Sequence, residues 1–387
     1  MEAALSRAQA LISSYDEELR RLLPEGAEIF DAHLHLGHDI DGFSGQYEEL
    51  ERIMDAYGIS RAFMFCMDEP DREPAFRAPN DRTLRDAERS NGRLVPFVRL
   101  DLTADGPIDE AIRCLDRGAR GIKLHPRAQR FALNDERLVP VFELAAERRV
   151  PILIHGGRGL PPIADHLHRL VETYPEAQLI IAHGGIADMA ALAGHFAGHK
   201  GVFFDTSVWS PVDLLDFFHQ VPPEQILYAS DYPYGRQPQS LIIALRTAIT
   251  AGLNEKQLRD MLAGNANRIA GGEEPLEPST PRGRDEFRQS MALARVHQYL
   301  SMATPLLWTR QPDTIGVLGL ALNATEERNG RPGELERIRE LLVTAREIWR
   351  GLPESETDDD RLEASRATFR LIHLADILSV TVDAPDD

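Results

Sequence analysis

The residues with chemistry to offer are histidines, aspartates and two cations, set at intervals through the middle of the chain. His33 and His35 form a His-x-His pair inside IFDAHLHLG at 29–37. Lys123 and His125 repeat that spacing in ARGIKLHP at 119–126. Side chains alternate faces along a strand, so each pair addresses one point, with Ile122 and Leu124 turned the other way. His155 and His183 each stand before a Gly-Gly pair, which lets the backbone turn tightly. Asp205 and Asp231 end two later runs, and Arg99 and Asp101 end an earlier one. Imidazoles with carboxylates suit a transition ion such as zinc, and the same groups move protons. With 13 histidines in the chain, one His-x-His pair is expected roughly 0.4 times by chance. The pair alone is therefore weak, and its meaning rests on whether the other residues reach the same place.

The elements that must position them repeat. A short β-branched or aromatic run is followed by a turn and a helix-like segment, eight times over. The runs lie at 29–37, 59–67, 93–101, 119–126, 150–157, 177–185, 202–208 and 225–233. Eight strand–helix units in succession predict an α/β fold, a (β/α)8 TIM barrel closing near Ala270. A doubly wound sheet is the alternative, but the chain has no GxGxxG and no Walker motif. In such a barrel the strand ends project into one mouth, which is where these histidines and aspartates fall.

Motifs in this order resemble the amidohydrolase superfamily. They are DAHLHLG at 31–37, GIKLHP at 121–126, LIHGG at 153–157, IAHGG at 181–185, ASDYP at 229–233 and GNANRI at 264–269. The resemblance covers about residues 29–270 and is nearest the amidohydrolase-2 branch, which includes aminocarboxymuconate semialdehyde decarboxylase and related lactonases. It implies one divalent metal, usually zinc, held by His33, His35, His155 and Asp231. It also implies His183 as general acid/base or electrostatic stabiliser, with Asp231 taking the proton of the attacking water. Binuclear relatives use a carboxylated lysine to bridge two metals, which here would be Lys123, with His183 on the second ion.

Several residues keep two readings. Unmodified Lys123 is a cation for a substrate carboxylate or oxyanion, or else a partner of Asp101 or Asp205. Arg99 clamps a substrate carboxylate or pairs with Asp31 or Asp205. His125 contacts metal or substrate, or merely ends its strand before Pro126. Trp209 is a pocket wall or a core residue. Arg127, Arg158 and Arg236 read as solvated rim residues, and Asp16, Glu17 and Glu18 as a solvated helix face. Cys66 reads as buried and inert.

The remaining chain bounds the function. A net charge of −19 disfavours nucleic acid and anionic membrane. Two cysteines exclude a disulfide scaffold. The acidic, amphipathic N-terminus is unlike a secretory signal, and no run is apolar enough to span a membrane, so a cytoplasmic protein is expected. The expected divisions are an N-terminal helix at 1–28, the catalytic barrel at 29–272 and a helical extension at 273–387. Residues 271–282 read as a linker, and helices are predicted at 284–302, 333–350 and 360–380, the last capped from SETDDD at 355–360. This extension is expected to pack across the barrel or to build a homodimer interface. The leading expectation is a metal-dependent hydrolase cleaving an amide, lactone or ester of a small molecule that bears a carboxylate or polarised carbonyl. A metal-dependent decarboxylase uses the same groups, and an inert barrel serving as a binding or assembly protein is the third reading.

Overall fold

The computed structural model describes residues 2–283, 289–308, 314–326, 332–352 and 357–381. Helix α1 (Glu2–Leu22) precedes β1 (Ile29–His38), whose end pairs antiparallel with the two-residue β2 (Ser44–Gly45). Strand and helix then alternate: α2 (Tyr47–Tyr57), β3 (Ile59–Cys66), α3 (Arg77–Arg89), β4 (Leu94–Arg99), α4 (Pro107–Asp116), β5 (Gly121–Leu124) and α5 (Val139–Arg148). The second half continues with β6 (Ile152–Ile154), α6 (Ala164–Thr173), β7 (Leu179–Ile181), α7 (Met189–Phe196), β8 (Val202–Asp205), α8 (Pro211–Gln220), β9 (Ile226–Leu227) and α9 (Gln237–Thr250). From β1 through β3 to β9, every neighbouring pair of strands is parallel. The segment after β9 returns to β1 through Ala32 N–H to Tyr228 O (2.8 Å), Asp231 N–H to His33 O (2.8 Å) and His35 N–H to Tyr232 O (2.7 Å). The fold is the expected (β/α)8 barrel, with an N-terminal helix and a helical C-terminal region.

Aromatic and aliphatic side chains fill the lumen below the mouth, including Phe30, Phe63, Phe65, Phe97, Leu153 and Phe203. Ile122 and Leu124 face the outer helices, as their parity predicts. The floor comes from GNANRI. Helix α10 (Glu255–Arg259) passes through a π-turn at 260–264 into α11 (Asn265–Gly271), carrying Ala263, Ala266 and Ile269 into the lumen cluster. Asn265 Nδ2 donates to Pro223 O (3.1 Å) and Ile226 O (2.9 Å), which fixes that plug under β9.

Strand β1 departs from strict alternation. Its register with β3 shifts between Ile29 and Phe30 and again between Asp31 and Leu34. Phe30 and Ala32 consequently join the lumen. His33 and His35 still turn to one side, each packed on the Phe65 ring (5.2 and 4.5 Å between centroids). Asp31 receives Ser230 N–H (2.9 Å), Ser230 O–H (2.5 Å) and a Gln237 amide hydrogen (3.2 Å), and so ties β1 to the last strand.

Among the described residues, four helices follow the barrel: α12 (Met291–Trp308), α13 (Thr314–Ala324), α14 (Pro332–Gly351) and α15 (Asp358–Val380). The stretch at 271–282 is irregular but fastened, since Glu224 accepts Ser279 N–H (3.0 Å) and O–H (2.8 Å). Residues 284–288, where the first tail helix was expected to start, lie outside the described residues, and α12 begins at Met291. Thr357 caps α15 by accepting Asp360 N–H at 3.1 Å. Ser355 and Glu356 of the same motif lie outside the described residues. Helix α15 packs on α8 and α9, and α1 packs on α14 and α15, so the extension lies across barrel helices. No described helix is long and apolar enough to cross a membrane.

Asp16 and Glu18 correct the solvated-face reading of α1. Glu18 sits between Arg246 of α9, which is buried, and Arg337 of α14 (2.7 Å). Asp16 accepts from Arg370 of α15 and from Tyr57 O–H (3.1 Å). Their partners lie far along the chain, so helical periodicity alone cannot reveal them.

Two outcomes test this packing. A Cβ at Gly121 would lie 2.5 Å from the Phe97 ring, so Gly121→Ala is expected to destabilise the barrel by about 1–3 kcal/mol in urea denaturation. His297 of α12 meets Asp376 of α15 at 2.7 Å. Burial pulls the His297 pKa down, but the hydrogen bond and charge of Asp376 outweigh it and raise it above 6.5. A raised histidine pKa stabilises the fold fully below the unfolded value, and that stability fades as pH rises through the folded value. The melting-temperature gap between wild type and His297→Ala is therefore expected to be larger near pH ~6 than near pH ~8.

Candidate metal centre

The mouth is assembled from strand ends. His33 and His35 come from β1, Arg99 ends β4, Lys123 lies on β5, His155 follows β6, His183 follows β7, Asp205 ends β8 and Asp231 follows β9. His33 and Asp231 are buried, and His183 lies beside them in the group of donor atoms within 4.8 Å of one another. His33 Nε2 is 3.2 Å from His35 Nε2, and Asp231 Oδ1 is 3.2 Å from the first and 3.3 Å from the second.

The hydrogens around this point are fixed by what lies behind it. His33 Nδ1 is 2.7 Å from Asp205 Oδ2, and a carboxylate there accepts. Nδ1 therefore carries the hydrogen and Nε2 a bare lone pair. His35 Nδ1 donates in the same way to Cys66 O (3.4 Å). His183 Nδ1 faces Ser207 O at 3.0 Å, which turns its Nε2 inward. Burial, then the Lys123 charge, holds the His33 pKa down at about 4, and burial holds His35 well below the usual range, so both rings are neutral. Two imidazole lone pairs and a carboxylate oxygen thus converge at 3.2–3.3 Å. A cation resolves that repulsion, so this donor set fits a divalent metal.

Asp205 organises both sides. Burial works against its charge, but His33, His183 and Ser207 outweigh it and keep it ionised. Its other oxygen accepts His183 N–H (2.8 Å), Ser207 N–H (3.1 Å) and Ser207 O–H (2.5 Å). His183 and Asp231 both adopt left-handed backbone (φ 59° and 57°), uncommon for residues with a Cβ and frequent at functional positions.

His155 stands beside this group rather than within it. Its Nδ1 is 3.0 Å from His183 Nε2, its ring stacks on His125 at 3.9 Å, and its buried Nε2 has no partner among the described residues. That orphaned nitrogen is a further donor for an ion. Gly157 is needed here, because a Cβ would meet the His155 ring at 2.7 Å. His125 is tied back by Ala128 N–H to its Nδ1 (3.2 Å).

The two cations settle differently from their alternative partners. Lys123 Nζ lies 3.5 Å from His33 Nε2 and 4.5 Å above the Phe65 ring. Asp101 is occupied by Thr103 (2.8 and 2.7 Å), and Asp205 is at most a distant partner of Lys123. Burial brings the Lys123 pKa down to about 7 despite Asp231 and Asp205. Arg99 pairs with neither Asp31 nor Asp205: it donates to Cys66 O (3.3 Å), lies 4.0 Å from Asp68 and covers the Phe76 ring. Its buried Nε has no partner among the described residues. Cys66 is buried as expected, and burial pushes its thiol up to about 12. Trp209 is partly exposed, packed on Phe369 of α15. Arg158 pairs with Asp213 at the surface (2.5 Å). Arg236 is not simply solvated, being half-buried 3.7 Å from Glu49. Sequence reasoning missed the organising roles of Asp205 and Ser207 and the place of Tyr234, whose ring lies 5.5 Å from His35. Only Asp205 carried a signal, its place at a strand end.

A (β/α)8 barrel with histidines and an aspartate converging at its C-terminal mouth defines a class of barrel with a cation-ready centre. Within that class, the amidohydrolase-2 family model matches residues 30–271. The chain belongs to that amidohydrolase family. No curated relative matches the sequence. Among solved structures, an uncharacterised TIM-barrel protein from Bordetella bronchiseptica is similar, with TM-score 0.51 and 16% identity over 63% of this chain and 99% of that one. An amidohydrolase from Burkholderia multivorans with bound HEPES gives TM-score 0.51 and 12% identity over 63% and 99%. These likenesses concern the fold.

Replacing Asp205 by Asn removes the charge that fixes the His33 hydrogen. Metal affinity is expected to fall about 10–100-fold in chelator competition, with the barrel still folded by circular dichroism. Unchanged affinity would remove Asp205 from that role.

Proposed function

We propose that the protein is a metal-dependent hydrolase that cleaves an amide, lactone or ester of a small molecule. The supporting observation is the meeting of His33 Nε2, His35 Nε2 and Asp231 Oδ1 within 3.2–3.3 Å of one another. In this reading residues 29–272 form the catalytic unit, and His33, His35, His155 and Asp231 hold one zinc or similar ion. Such an ion, when bound, supplies Lewis acidity toward water and carbonyl oxygen.

The chain's own residues do the rest. Asp231 accepts the proton of the attacking water and returns it to the leaving group. His183, held from behind by Ser207 and Asp205, contacts the water or substrate oxygen as general acid/base or electrostatic stabiliser. Lys123 and Arg99 are buried cations beside the same point and draw a substrate carboxylate or polarised carbonyl toward it. His125 and Trp209 bound the substrate. Burial lowers the Lys123 pKa, which favours the neutral amine that a carbamate requires. A carboxylated Lys123 with His183 would hold a second ion. The expected setting is the cytoplasm, acting on small molecules rather than nucleic acid, with a homodimer through the C-terminal helices.

Those two buried cations also favour a second reading, decarboxylation of an unsaturated or aromatic acid, in which they hold the departing carboxylate. Turnover in 18O-labelled water separates the two, because hydrolysis places one labelled oxygen in the organic product, whereas decarboxylation releases carbon dioxide and leaves the organic product unlabelled. Purified protein is expected to contain about one equivalent of zinc or a similar ion. His35→Ala should lose that ion and reduce kcat at least about 1,000-fold. Full activity after chelation would overturn both readings.

A further inference from the structure

Next to the metal centre lies a cavity of about 880 Å3. Its inner boundary includes Ser207 and Tyr234, and Ser207 Oγ is 2.9 Å from His183 Nδ1. Its outer walls come from α1, α2 and α15, so the cavity lies between segments flanking the candidate metal centre and the C-terminal extension. Trp209 holds α15 there: its ring packs on Phe369 (5.7 Å) and its carbonyl accepts His373 Nε2–H (3.2 Å).

The walls combine two chemistries. Ile12, Phe43, Ile53, Trp209 and Phe369 make them largely apolar. Three guanidiniums, Arg236, Arg366 and Arg370, line the same space. Burial, then the neighbouring charge of Arg366, pulls the Arg236 pKa down. The acids nearby are Glu49, 3.7 Å from Arg236, Asp16, which holds Arg370, and Glu363, 3.5 Å from Gln9. Arg366 has no carboxylate partner among the described residues. In a chain of net charge −19, the three lining arginines outnumber the two lining carboxylates, Glu49 and Glu363, by one, against an apolar surface.

We propose that this cavity binds an amphipathic organic anion, with an aromatic or aliphatic body on the Ile12–Trp209–Phe369 surface and a carboxylate or phosphate held by Arg236 and Arg366. Guanidinium forks match such oxyanions. Binding stands on the cavity alone. Only the further step, that this anion is the substrate presented to the metal centre, rests on the proposed hydrolase.

The test uses the full chain and two fluorescent probes, anilinonaphthalene sulfonate and the uncharged phenylnaphthylamine. Saturable binding of the anionic probe at one site is expected, displaced by dodecanoate or dodecyl phosphate, the stronger competitor identifying the headgroup. Arg366→Ala, at an exposed position, and Arg236→Ala combined with it should weaken the anionic probe about tenfold or more and leave the neutral probe within about twofold. Equal anion affinity in wild type and variants, equal weakening of both probes, or displacement by neither competitor would overturn the proposal. If chelation leaves turnover intact while arginine-dependent binding persists, the hydrolase reading falls and the anion site stands.

Discussion

Two neutral imidazoles turn their lone pairs toward one carboxylate oxygen in a buried space, and much of the mouth exists to hold them in that unfavourable arrangement. Left alone, each ring would rotate, protonate or exchange tautomers. Asp205 prevents this for His33 by remaining charged in full burial, and the Cys66 carbonyl does so for His35. The irregular register of β1 brings both rings to the lumen without carrying Asp31 with them. Left-handed backbone at His183 and Asp231, of order 1–2 kcal/mol each, aims two more donors inward. Below, the packed aromatic layer and the GNANRI floor exclude water, so the electrostatics at the mouth act in a low dielectric.

The extension is part of this arrangement. Helix α15 reaches the mouth through Trp209, and α1 forms another wall of the same cavity. The barrel contributes the reactive groups at strand ends, whereas the added helices shape the space next to them. Rim geometry of this kind is where barrels of one family diverge.

The sequence made the eight strands and most of the convergent residues legible, because short β-branched runs recur at one spacing and reactive side chains sit at their ends. Reading His33 and His35 as a same-side pair needed only alternation. The displacement of Asp31 was hidden, because a bulge leaves no composition signal. Helix α13, TIGVLGLALNA, was missed because it is apolar on nearly every side and so lacks a polar face to mark its period. Glu18 and Arg236 looked like solvated charges because their partners are set by tertiary packing. The position of His155 behind His183 depends on ring orientation beyond a strand end, which spacing does not encode.

Helix α1 is synthesised before every partner it has outside the first barrel units. Glu18 meets Arg246 and Arg337, 228 and 319 positions later, and Asp16 meets Arg370 after 354. The loop closures are long, and their entropic cost must be met before the contacts reward it. The contacts of α1 with α2 and α9 can form before those with α14 and α15, whose residues come last. The docking of α1 is thus divided between contacts that the barrel alone supplies and contacts that wait for α14 and α15.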